Sequence, residues 1–210
     1  FVAEAHRLGL KVLLDWVANH TARDARWIAE EPASWYERDP SGQPAVPWDW
    51  SDTAKLNYGN RDVWRAQADA MEFWITQHAV DGFRCDMAML VPIGFWNETS
   101  RRLRQVKPDL FMLAEAEEPN LFEEGAFDAC YAWQMHHLMN DVARQQTRVT
   151  ALRDYIYNDR SAYPDSAMRL AFTSNHDENS WSGSEFTRLG DAREIMAVFT
   201  FVVPRGLPLI

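Results

Sequence analysis

The chain is poor in the features that nucleic-acid, membrane and redox proteins need. Lys and Arg number 21 against 31 Asp and Glu, a formal charge of −10. Phosphate binding depends on clustered cations, so the balance argues against a nucleic-acid partner and fits a neutral ligand. There are two Cys in 210 residues, Cys85 and Cys130. Both lie in apolar, strand-like stretches, which favours buried free thiols over a bridge. No membrane span and no signal peptide is visible. The sequence opens in the middle of a pattern, so localisation stays open between secreted or periplasmic and cytoplasmic. A glycine-rich nucleotide loop, a GxSxG nucleophile elbow and a two-His zinc spacing are all missing, as are repeats and low-complexity tracts.

What is present is apolar and aromatic. Hydrophobic residues make up 47% of the chain and include 10 Trp. That suffices for a real core and leaves flat rings to line a groove. The length predicts one domain or a large piece of one.

Phe1–Leu8 reads as the last turns of a helix capped by Gly9. Leu10–Val17 reads as a strand buried on both faces. Further strands are predicted at Val80–Cys85, Leu110–Ala114, Ala126–Trp133, Met168–Thr173 and Leu207–Ile210. Helices are predicted over 61–79, 93–107, 136–157 and 188–201. This alternation implies an α/β fold with a parallel sheet. Residues 21–57 break it. They carry Pro32, Pro40, Pro44 and Pro47 with Trp27, Trp35, Tyr36, Trp48 and Trp50. The stretch is far longer than an ordinary strand–helix loop and reads as a short subdomain for binding.

Four strands end in polar clusters: LLDWVANH (13–20), GFRCDMA (82–88), LFMLAEAEE (110–118) and LAFTSNHDEN (170–179). They deliver Asp15, Asn19 and His20, then Asp86, Glu115, and His176 with Asp177. Polar groups at the ends of several strands favour a barrel, whose site forms at the C-terminal face, over an open sheet with one switch point. Strand alternation places Arg84 beside Asp86, where a guanidinium keeps the carboxylate ionised and fit to be a nucleophile. The spacing also fits a plain structural Arg–Asp pair. Glu115 follows four apolar residues, and a dry pocket with other carboxylates nearby would let it keep a proton as a general acid. Glu117 shares its parity, and Glu118 reads as a turn cap before Pro119. Two carboxylates flanking one bond, Trp platforms and a non-basic surface together suit glycoside hydrolysis.

Taken in order, these segments resemble the motifs of the alpha-amylase family of glycoside hydrolases, family 13. DWVANH (15–20), GFRCDMAML (82–90), MLAEAEE (112–118) and FTSNHDEN (172–179) resemble its four regions. LNY (56–58) and GLPLI (206–210) resemble a short extra motif and the start of the eighth barrel strand. The resemblance implies a (β/α)8 TIM barrel, partial, running from the end of helix 2 to the start of strand 8. In it, 1–20 and 58–210 form the barrel and 21–57 a short B subdomain after strand 3. It implies that Asp86 is the nucleophile, Glu115 the general acid/base and Asp177 a third, sugar-binding carboxylate. Arg84 then orients Asp86, and His20, His176 and Asp15 bind substrate. The implied partner is an alpha-glucan or maltooligosaccharide. No cofactor is required for the chemistry, and Asn19 matches a position that ligates structural calcium in some relatives. The reacting carboxyls are expected about 5–5.5 Å apart, as retention demands.

One departure stands out. Met89 and Leu90 occupy positions where many relatives have a basic residue and His. This counts against a typical endo-acting alpha-amylase and leaves room, beside the retaining alpha-amylase-like hydrolase, for an exo-acting alpha-glucosidase, a maltooligosaccharide-trimming enzyme or a transglycosylase of the same family. A non-catalytic carbohydrate-binding or transport subunit is the competing class. Lacking its first two strands, the segment by itself is expected to aggregate through exposed strand edges.

Overall fold

The computed structural model describes residues 1–210 and divides into two compact units. The first comprises Phe1–Glu115 with Glu124–Phe127, the second Ala116–Glu123 with Asp128–Ile210.

In the first unit, α1 (Val2–Arg7) leads to β1 (Leu13–Val17). Gly9 takes φ +76° just past the helix, the left-handed conformation its place predicts. The strand starts three residues later than predicted, and Leu10 is exposed. Next come β2 (His20–Ala22), α2 (Arg26–Glu30) and β3 (Thr53–Lys55), with β2 and β3 paired antiparallel. Trp35, Tyr36, Ala54, Leu56 and Val63 bury together, so the 21–57 excursion shares a small core with the following helix. LNY ties it down: Leu56 N donates to Asn19 O (3.1 Å), and the Tyr58 hydroxyl donates to Ala18 O (2.7 Å).

Helix α3 (Arg61–His78) starts where Asn60 accepts a hydrogen bond from Asp62 N and ends at Ala79 in the left-handed conformation. β4 (Gly82–Asp86), α4 (Ile93–Val106) and β5 (Phe111–Ala114) follow, with β1–β4 and β4–β5 parallel. Phe83 and Cys85 are fully buried while Arg84 and Asp86 are partly exposed, the alternation the sequence implies. Gly82 is needed for close approach of the neighbouring strand, since a Cβ there would lie 1.8 Å from the Phe111 carbonyl oxygen.

The second unit contains β6 (Ala129–Tyr131), α5 (Trp133–Ala143), α6 (Thr150–Ala162) and β7 (Met168–Ala171). Then come α7 (His176–Trp181), α8 (Glu185–Leu189), α9 (Arg193–Val202) and β8 (Gly206–Pro208). β6–β7 and β7–β8 are parallel. The single helix predicted over 136–157 is two, broken where Gln145 adopts φ +60°. The helix predicted over 188–201 is also split, into α8 and α9. Met135, Met139, Leu152, Tyr155, Leu189 and Met196 form this unit's core. Both cysteines are buried free thiols, and burial pushes the Cys130 thiol up to about 12. No helix is long and apolar enough to cross a membrane.

Candidate active site

The C-terminal ends of β1, β4 and β5 bring Asp15, Arg84, Asp86 and Glu115 together in the first unit. Arg84 is the hub. Its Nη1 donates to Asp15 Oδ1 (2.9 Å) and Asp86 Oδ1 (2.8 Å), and its Nη2 lies 2.8 Å from Glu115 Oε2. Exposure falls steeply across the three carboxylates, from 59% for the Asp15 side chain to 22% for Asp86 and 7% for Glu115. Arg84 and Asp86 are the pair that alternation predicts. Register supplies the rest, because Asp15 pairs with Arg84 across β1–β4 and Ala114 with Cys85 across β4–β5.

Glu115 sits in the dry pocket expected of it, but its neighbour is a guanidinium. The Met87 backbone N–H also donates to Oε2, at 3.0 Å. Met87 achieves this contact with φ +43°, an unusual conformation for a side-chain-bearing residue and a local strain next to Asp86.

Asn19 is buried and His20 half-buried at the start of β2. Asn19 Nδ2 lies 3.3 Å from His20 Nδ1. Burial lowers the His20 pKa, and the negative charges of Asp86 and Asp52 partly oppose that. The imidazole ring packs on Trp50, with centroids 5.3 Å apart. Calcium takes six to eight oxygen ligands. No group of three or more His, Cys, Asp or Glu that could hold a metal gathers at Asn19 or elsewhere.

His176 and Asp177 lie in the second unit, in the first turn of α7. Asn175 caps this helix by accepting from Glu178 N (2.7 Å). His176 Nε2 is 3.4 Å from Asp177 Oδ2, and both side chains are exposed.

Sequence reasoning missed what lies under that turn. Glu178 Oε2 is 3.1 Å from Nε2 of the fully buried His136, and Nδ1 of the same ring faces the Phe172 carbonyl oxygen at 3.1 Å. Asn140 and the buried Arg188 close the network. Burial lowers the His136 pKa, opposed by its bonds to Phe172 and Glu178. The sole sequence signal was Glu178 in SNHDEN. Glu117 proves structural, as it pairs with the buried Arg169 and accepts from Gln134 N. Glu118 makes no side-chain cap, contrary to expectation.

Comparison with known proteins adds the family. The alpha-amylase catalytic-domain model matches residues 35–210. Alpha-amylase MalA of Haloarcula japonica is 30% identical over 219 residues, covering 100% of this chain and 32% of its own length. An alpha-1,4-glucan:maltose-1-phosphate maltosyltransferase of Arcanobacterium haemolyticum is 33% identical over 122 residues, covering 55% of this chain and 17% of its own. An alpha-amylase from Lactobacillus plantarum superposes with a TM-score of 0.88 at 29% identity, covering 100% of this chain and 52% of that one. The chain thus spans about a third of the first relative and about half of the solved one. The fold is a partial (β/α)8 barrel.

Proposed function

The chain belongs to the alpha-amylase family of glycoside hydrolases, and on that premise we propose that it carries the nucleophile and general acid/base of a retaining enzyme acting on alpha-glucans or maltooligosaccharides. One observation carries the reading. A single guanidinium holds Asp86 and Glu115 at 2.8 Å each, at the ends of adjacent strands. Two carboxylates on one fork support the spacing of about 5–5.5 Å used in retention over the ~6.5–9.5 Å of inversion.

Asp86 attacks the anomeric carbon while Glu115 gives its proton to the glycosidic oxygen. The sugar then rides on Asp86 as an ester until Glu115 draws a proton from water or from another sugar hydroxyl. Arg84 aims Asp86 through the 2.8 Å bond from its Nη1 to Oδ1. Glu115 must hold a proton when substrate arrives. Its side chain is 7% exposed, so the proton is passed in a setting with little water. Asp15 and His20 flank the reacting sugar in the first unit. Catalysis in this family needs no cofactor.

An exo-acting or glycosyl-transferring variant of this chemistry has its own support. Met89 is 40% exposed just after the nucleophile, in place of a cationic side chain. An apolar acceptor side holds water less firmly and suits a sugar as acceptor. A maltosyltransferase among the relatives points the same way.

The test is product analysis over time with the protein that carries these residues, on maltoheptaose, p-nitrophenyl alpha-glucoside and sucrose. Mid-sized maltooligosaccharides identify endo action. Glucose alone, or products longer than the substrate, identify exo action or transfer. The Asp86→Ala variant is expected to lose activity by orders of magnitude with its melting temperature kept. Retention of most activity overturns the nucleophile assignment.

A further inference from the structure

The ladder between β4 and β5 slips by one residue just after the nucleophile. Parallel pairing runs regularly from Gly82–Phe111 to Cys85–Ala114. It takes one further bond, from Glu115 N to Cys85 O (3.0 Å). In a parallel ladder the residue two places on supplies the answering bond, so Met87 N should donate to Glu115 O. Instead Ala88 N donates to Glu115 O (3.2 Å), one residue late. Met87 is the extra residue of a β-bulge, and its φ of +43° and ψ of +45° let the chain absorb it. The amide released from the ladder donates to Glu115 Oε2, at 3.0 Å.

The fold holds this slip in place. Ala88 is fully buried, and its carbonyl oxygen accepts from Trp96 Nε1 of α4 (3.0 Å). The carbonyls of Met87 and Ala88 also accept from Leu90 N (2.9 Å) and Val91 N (3.3 Å), which close a tight turn. Glu115 is thus bound to one short segment twice, through its backbone carbonyl and through its carboxylate. A left-handed conformation is uncommon outside glycine and costs free energy. Met87 is only partly buried, so the packing of its side chain does not account for that cost. What the bulge provides is a backbone donor fixed on a carboxylate. A long side chain such as Arg84 can swing about several bonds, and a peptide N–H anchored on both sides cannot. Bulges next to active sites re-aim groups in this way.

We propose that the Met87 bulge is a positioning device for proton transfer by Glu115. The Met87 amide fixes the orientation of the carboxyl relative to the end of β4, where Asp86 sits, and Met87 acts on the reaction through Glu115. This inference rests on the general acid/base reading of Glu115 given above. It carries a signature that a purely structural bulge lacks. Departure of a sugar alkoxide needs the proton of the acid, and departure of fluoride needs it far less. Misplacing Glu115 therefore slows cleavage of a glucan and spares alpha-glucosyl fluoride.

The experiment uses the protein that carries these residues, with the Met87 amide replaced by an ester through incorporation of the α-hydroxy analogue of methionine. The ester keeps the side chain and removes the N–H. Values of kcat/KM, which report on the steps up to the glycosyl-enzyme, are measured for maltoheptaose and alpha-glucosyl fluoride, with Glu115→Ala as the reference. The ester should lower kcat/KM for maltoheptaose about tenfold, short of the roughly hundredfold cost of moving a reacting group by about an ångström, and leave that for the fluoride within about twofold. Glu115→Ala should show the same split, larger. Equal losses on both substrates in the ester protein, or an unchanged value for maltoheptaose, overturn the positioning role; the split in Glu115→Ala then leaves the catalytic reading intact. Equal losses on both substrates in Glu115→Ala overturn the acid/base assignment itself.

Discussion

Replacing Arg84 by Met keeps the length of the stem and removes the charge that three carboxylates share. Asp15 loses little, because its side chain is 59% exposed and such pairs are worth about 0–1 kcal/mol. Asp86 and Glu115 decide the outcome, at 22% and 7% exposure. Removing one partner of a buried pair leaves uncompensated charge and costs about 3–5 kcal/mol. For a domain of this size each kcal/mol moves the melting temperature by roughly 2–4 °C, so a loss of about 6–20 °C is expected. Scanning calorimetry of both proteins measures this. The turnover of any surviving variant should drop about a hundredfold, the scale expected when a reacting group is misplaced by about an ångström. A melting point within two degrees of wild type refutes the view of Arg84 as the electrostatic hub.

Gly82→Ala should abolish folding or cost more than about 4 kcal/mol, because its Cβ would lie 1.8 Å from a backbone oxygen; soluble expression with an unchanged melting point contradicts this. His20 and His136 both have pKa values lowered by burial, so their unfolded forms bind protons first. Their contribution is present above the unfolded histidine pKa and is lost as pH falls through the folded values. His20→Gln should therefore flatten the stability profile in the mildly acidic range, as read by denaturant melts across that range. Cys130, pushed up to about 12, and the fully buried Cys85 should resist iodoacetamide in the folded protein and react on unfolding, as mass spectrometry would show.

The parts of the site legible in the sequence are those that follow from strand period. Arg84 and Asp86 face together because they are two residues apart in a strand whose other face, Phe83 and Cys85, is buried. Glu115 was legible as the first polar residue after an apolar run, but the Arg84 fork that reaches it was not. That contact comes from register between strands, which local pattern does not encode. Helix α7 escaped detection because HDENSW has no apolar period; its Asn175 cap, with Glu178 three residues on, was the available signal. The break between α5 and α6 escaped for the opposite reason, since RQQTRV holds neither Gly nor Pro and Gln145 supplies the left-handed turn. His136 was unreadable because a polar residue in an apolar helix shows its purpose only through the groups of other elements that meet it.

The central claim is that Asp86 becomes covalently bonded to sugar, and trapping that bond tests it most directly. The protein carrying these residues is incubated with a 5-fluoro-alpha-glucosyl fluoride, digested and mapped by mass spectrometry. The account predicts one fluoroglucosyl adduct, on the peptide containing Asp86, formed as activity is lost. An adduct on another carboxylate, or inversion of the anomeric centre in the products, would contradict it.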